Sequence, residues 1–156
     1  MMDDLTAFEQ WASTLLARLS PAGRRNVMRD VARALRHAQK ARIAAQRNPD
    51  GSAYTPRKAR AEKETTRLRN RRGRIKRTMF AKLRTARMMR AEIHDHELAV
   101  GFIGRVARIA RVHQHGLRER VAPRGPYYRY PARVLLGLTN ADRTLIRDRL
   151  LAHLNR

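Results

Sequence analysis

Cysteine is absent from this 156-residue chain. Disulfides, thiolate zinc sites and a cysteine nucleophile are therefore excluded, and the composition fits synthesis in a reducing cytosol. Acidic residues are scarce: 13 Asp and Glu stand against 36 Lys and Arg, a formal charge of +23. That scarcity argues against a two-metal nuclease, which gathers carboxylates. Aromatic residues make up only 5%. No apolar run approaches the roughly 18 residues that would span a bilayer, so no membrane partner is expected. Met1-Met2-Asp3-Asp4 lacks the basic start of a secretory signal. No G-x-S-x-G, phosphate-binding glycine loop or H-E-x-x-H occurs, so no catalytic residue, metal ligand or cofactor is assigned.

What is present is charge, with enough apolar residues, 42%, for a core. So large an excess opposes compaction and self-association unless an anionic partner offsets it. Nucleic acid, an acidic protein surface and anionic lipid are the candidate classes. The excess concentrates in Arg57, Lys58, Arg60, Lys63, Arg67, Arg69, Arg71, Arg72, Arg74, Lys76 and Arg77. Only Glu62 and Glu64 oppose these eleven, for a net of +9. The stretch reads as a solvated loop or as an arm that docks on acid. It belongs to a basic insertion, 49–77, in a chain that otherwise reads as one domain over 1–156.

Apolar spacing sets out the elements. Leu5, Phe8, Trp11, Leu15 and Leu19 form one stripe of a helix over 4–19. Ser20-Pro21 predicts the start of a second helix running to about Arg47. Its apolar face is Val27, Val31, Ala34, Leu35, Ala38 and Ala45. Asn48-Pro49-Asp50-Gly51 signals a turn. Residues 78–85 read as a short helix. Met89, Ala91 and Ile93, then Leu98, Val100 and Phe102, fall at period two around His94-Asp95-His96, which predicts an antiparallel hairpin. Its second strand is apolar on both faces and is expected to be the more buried. A helix follows through Val106, Ile109, Ala110 and His113, capped by Gly116. Residues 117–131, with Pro123, Gly125, Pro126 and Pro131, read as a loop. Val134-Leu135-Leu136 reads as a short strand. Thr139 and Asp142 form a capping box for a last helix over 140–154 that buries Ala141, Leu145, Ile146, Leu150 and Leu154. Helices on a small antiparallel sheet make the fold class α+β.

Few side chains suggest chemistry. His94 and His96 would share a strand face, but no third ligand is near and a polar turn is the preferred reading. His113 sits on the apolar stripe of its helix and reads as a packed core histidine, with charge at the helix C-terminus as the alternative. Tyr127, Tyr128 and Tyr130 lie beside Arg124 and Arg129. Such a cluster suits base stacking or a protein interface. The interface is preferred, because the other rings are needed for the core.

Several segments resemble one family. They are Arg105-Val106-Ala107-Arg108-Ile109-Ala110-Arg111-Val112-His113-Gln114-His115-Gly116 and Tyr130-Pro131-Ala132-Arg133-Val134-Leu135-Leu136-Gly137-Leu138, with Leu19–Arg25, Arg42–Gly51 and Met79–Arg84 in the same order. Together they resemble the tail-completion, or virion morphogenesis, proteins of temperate contractile-tailed bacteriophages. Arg111, His113, Gly116, Pro131, Ala132, Arg133 and Gly137 match the family pattern. The resemblance implies a non-enzymatic protein that completes the head-proximal end of the tail and permits head–tail joining. It implies a homo-oligomeric ring, often of six subunits, in the virion neck, assembled in the host cytoplasm. Expected partners are further copies, the tail tube and sheath, and head connector or neck proteins, with non-specific contact to phage DNA. The alternative reading is a basic nucleic-acid-binding protein.

Overall fold

A computed structural model describes residues 2–57, 78–94 and 97–154. The arm residues Lys58 to Arg77, and with them His96, lie outside the described residues. The order is α1 Met2–Ala17, α2 Pro21–Ala44, β1 Met89–Ile93, β2 Leu98–Phe102, α3 Arg105–His115, β3 Arg118–Arg120, β4 Tyr127–Arg129 and α4 Asn140–Leu154. Among the described residues, four helices and two antiparallel pairs, β1–β2 and β3–β4, make an α+β fold.

α2 organises the core. Ser20 caps it, its Oγ accepting from the Gly23 N–H at 3.1 Å, and Pro21 fills the first turn. Val27, Met28, Val31, Ala32, Leu35, Gln39 and Ile43 form its buried row. α4 and the β1–β2 hairpin pack along it. α1 joins the same cluster through Phe8, Trp11, Leu15 and Leu16, with Leu19 just beyond it, while Leu5 stays 36% exposed. A second cluster brings Ile43, Tyr54, Leu83, Met89, Ala110 and Leu135 together. The β1–β2 register runs from Met89 opposite Phe102 to Ile93 opposite Leu98. At its turn the His94 N–H donates to Glu97 O at 2.8 Å.

The structure corrects several expectations. α2 stops at Ala44, short of Arg47, because Gln46 turns to φ +58° and spends its amide on Ile43 O and on both backbone groups of Met79. For the same reason residues 78–85 are turns rather than a helix, with Phe80 at φ +64°. β2 is the better covered strand only in part: it exposes Ala99 alone against Arg90 and Glu92 of β1, yet the most buried position, Met89 at 1%, belongs to β1. A two-stranded sheet covered chiefly by α2 leaves its other face open. Residues 117–131 are not a loop, since β3 and β4 pair within them. Ala141 is exposed, and Asp142 is buried in its stead.

Val134-Leu135-Leu136 is extended but joins no strand. Its backbone is satisfied by side chains instead. Asn48 Oδ1 accepts from the Val134 N–H at 2.8 Å, and Gln114 Oε1 from the Leu135 and Leu136 N–H groups at 2.8 and 3.0 Å. Gln114 Nε2 donates to Leu136 O at 2.8 Å, Gln39 Nε2 to Gly137 O at 3.1 Å, and the Arg42 guanidinium to Val134 O and Leu135 O at 3.1 and 3.0 Å. The segment is a strap, with Leu135 fully buried. Among the described residues no helix is long and apolar enough to cross a membrane, and no group of three His, Asp or Glu is placed to hold a metal.

Candidate protein-interaction site

The sequence places a left-handed glycine, Gly116 (φ +62°), at the end of α3. The chain turns there into β3. A side chain at this glycine would sit 3.1 Å from the Ala132 nitrogen and 3.2 Å from Tyr130 O, so the close passage of the 130–132 segment needs its absence.

β3 and β4 alternate in burial, and the alternation sorts the charges. Arg118, Arg120, Tyr127 and Arg129 face outward, and Tyr127 is 54% exposed. The guanidinium carbons of Arg118 and Arg120 stand 5.2 and 4.8 Å from the Tyr127 ring centre, within cation–π range. Arg118 lies directly opposite Arg129, and like charges so placed repel. The outward face is thus a cationic pad around one tyrosine.

The inward face ties the pad to the core. Glu119 pairs with Arg108 of α3 at 2.8 Å. The hydrogen bond from Arg108 holds its carboxyl below the ordinary value. Tyr128, Tyr130, His113, Phe80 and Tyr54 touch in sequence, edge to face, at centroid distances of 5.0, 5.1, 4.8 and 5.8 Å. Each such contact adds about 0.5–1.5 kcal/mol beyond burial. Between α3 and the hairpin runs a groove of about 620 Å³ lined by Arg108, Ile109, Val112, Glu119, Val121 and Tyr130. Ile109 and Val121 are 50% and 60% exposed there.

Beside the pad lie Thr55 and Pro56, just ahead of the basic stretch. Arg133 is 4% exposed, and its Nε and one terminal nitrogen donate to Thr55 O at 2.7 Å and Pro56 O at 3.0 Å. Its other terminal nitrogen meets His113 Nδ1 at 3.1 Å. Burial, then the charges of Arg133 and Arg57, push the His113 imidazole down to about 4. It is therefore a neutral packed ring at pH 7, not a charged helix cap. Thr55, Pro56, Tyr128 and Tyr130 line a common groove of about 540 Å³.

The two halves of the sequence reading therefore meet. Arg57, first of the arm residues, is exposed and follows Pro56, which lines a groove with Tyr128 and Arg129. Arg124 is exposed at the hairpin tip. The motif residues divide. His113, Gly116 and Arg133 are scaffold beneath the site, and Pro131 is half-buried beside them. Arg111 and Ala132 are exposed. At Gly137 a side chain would strike Pro49 Cγ at 2.6 Å. Sequence reasoning missed Arg118 and Arg120, although Arg118-Glu119-Arg120 and Tyr127-Tyr128-Arg129 alternate around Pro123-Arg124-Gly125-Pro126. It also missed Gln39, Arg42 and Gln114, for which a lone polar residue gives no signal.

Residues 3–155 match the model of the phage virion morphogenesis family. The chain is also 39% identical over 156 residues to "Tail completion protein S" of Escherichia phage P2, an alignment covering 99% of this chain and 100% of that protein. No solved structure matches it. Matched from residue 3 to residue 155 and aligned end to end with that relative, the chain belongs to the phage virion morphogenesis family.

Proposed function

We propose that this protein completes phage tails: copies close into a ring at the head-proximal end of the tail and so permit joining to a head. The observation that carries the reading is the end-to-end similarity to a tail completion protein. The role is structural, and its mechanism is geometric and electrostatic. A closed ring needs two different patches on each copy. The Arg118/Arg120/Tyr127/Arg129 pad has the composition of one: guanidinium forks for carboxylates, and an aromatic anchor flanked by two of them. Thr55 and Pro56, which precede the basic stretch, lie beside it. Pad and arm together dock on acidic neighbours, namely the tail tube, the sheath, a head connector or the next copy. Opposite charge speeds that docking, and salt weakens it.

The test replaces the eleven basic residues from Arg57 to Arg77 with glutamine and supplies the variant to a phage lacking its own copy. The infectious titre is expected to collapse, with separate heads and tails seen by electron microscopy. A normal titre would overturn the mechanism.

A further inference from the structure

A second charged surface lies away from the hairpin. Arg29, Arg33, Arg36 and Lys40 follow one another on α2 at steps of four, three and four. At about 100° per residue they share an arc of about 60°, and at about 1.5 Å per residue they run for about 17 Å along the axis. α4 and the β1–β2 hairpin cover another side of this helix. The row therefore points outward: Arg29, Arg33 and Lys40 are exposed and Arg36 is half-buried.

Among the described residues no carboxylate pairs with any of the four. Arg29 reaches only Asn26 Oδ1, at 3.5 Å. The one acid on the same helix, Asp30, is held instead by Arg149 at 3.1 Å and His153 at 3.5 Å from α4. The chemistry also differs from that of the pad. No large apolar side chain of α2 is exposed, so the row lacks an aromatic anchor of the kind Tyr127 gives the pad. It offers a straight file of cations, successive ones about 5–6 Å apart. A nucleic-acid strand presents one phosphate per roughly 3.4 Å of axis. Such a strand is neutralised by charge alone.

We infer that the Arg29/Arg33/Arg36/Lys40 row binds the phosphate backbone of duplex DNA without regard to sequence. It is a site separate from the protein-facing pad and goes beyond the tail-completion reading. One face of the subunit then meets protein, and another meets the polyanion that a head delivers through a tail.

The test is a salt series of fluorescence anisotropy with the full chain and a labelled duplex of arbitrary sequence. Arg29→Gln, Arg33→Gln, Arg36→Gln and Lys40→Gln are combined in one variant. Four lost phosphate contacts make the log–log salt slope shallower by about 3.6 units. An equal charge change on the pad, Arg118→Gln, Arg120→Gln, Arg124→Gln and Arg129→Gln, shifts it by less than about one unit. The charge-keeping set Arg29→Lys, Arg33→Lys and Arg36→Lys holds the original slope. An unchanged slope in the first variant overturns the site, and so does an equal loss in the first two, which marks bulk charge alone. If the fourfold variant loses its helical circular dichroism, the single substitutions decide: each shifts the slope by about 0.9, and no shift in any overturns the assignment. The titre assay above reads tail completion independently of all these outcomes.

Discussion

Arg133 is a buried guanidinium whose partners are two backbone carbonyls and a histidine rather than a carboxylate. Burial lowers its pKa below the ordinary arginine value, yet it stays charged, because arginine does not release its proton in proteins. It pins residues 55 and 56 where the arm begins. Arg133→Met should cost about 2–3 kcal/mol in urea denaturation, since charge-assisted hydrogen bonds are lost and their acceptors stranded. Arg133→Lys should recover little of it, because an ammonium cannot span three divergent partners.

His113 gives a pH signature. The imidazole titrates at 6.5 in the unfolded chain and at about 4 in the fold. Between those values the unfolded state binds more protons, so stability rises with pH. The contribution is complete above pH 6.5 and is lost as pH falls toward 4. The ring is only half-buried, so solvent screening reduces the effect to about 1–2 kcal/mol. Thermal melts at pH 7 and pH 4.5 should differ in that direction, and His113→Gln should flatten the difference. That this histidine is packed was legible from its place on an apolar stripe. Its partner Arg133, twenty positions away, was not.

The strap at 133–137 is the part of the architecture least visible in the sequence. Three consecutive apolar residues suggest a strand, but a strand needs a partner edge. Gln39, Arg42, Asn48 and Gln114 supply the hydrogen bonds in its place, and each reaches the strap from a distant part of the chain. Gln114→Ala removes one acceptor and one donor that serve three backbone groups. The expected loss is about 2–4 kcal/mol, read by denaturation, against within about 0.5 kcal/mol for exposed Arg111→Ala. Local signals fared better wherever the chemistry was itself local. The Thr139–Asp142 box forms as read, with reciprocal bonds of 2.9 and 3.0 Å. Asp142 also accepts from Gln39 at 3.4 Å, so Asp142→Ala should cost more than the roughly 1 kcal/mol of a simple cap. The 117–131 hairpin was hidden because prolines and a glycine outweigh two three-residue strands in any count of periodicity.

The excess positive charge is distributed over surfaces of unlike chemistry. The β3–β4 pad combines arginines with an exposed tyrosine, and the α2 row is charge alone. On the two proposals above, such a subunit turns the pad to protein and the row to phosphate. Tyr127→Ala with Arg120→Gln should therefore leave stability within about 0.5 kcal/mol of the parent, as exposed substitutions do. The same pair should lower infectious titre at least tenfold, since an anchor worth about 1.4 kcal/mol per contact is lost at every interface. An unchanged titre would remove the pad from the assembly mechanism.

Composition, caps and period decided much about this chain without help. They fixed the basic character, the α+β class, the ends of α3 and α4, and the β1–β2 pairing, because each depends on residues close in sequence. Folding alone decided which polar side chains hold the strap and that Thr55 and Pro56 lie against the Tyr/Arg hairpin. Those outcomes depend on contacts between residues as far apart as Thr55 and Arg133. A one-dimensional pattern carries no record of such distances.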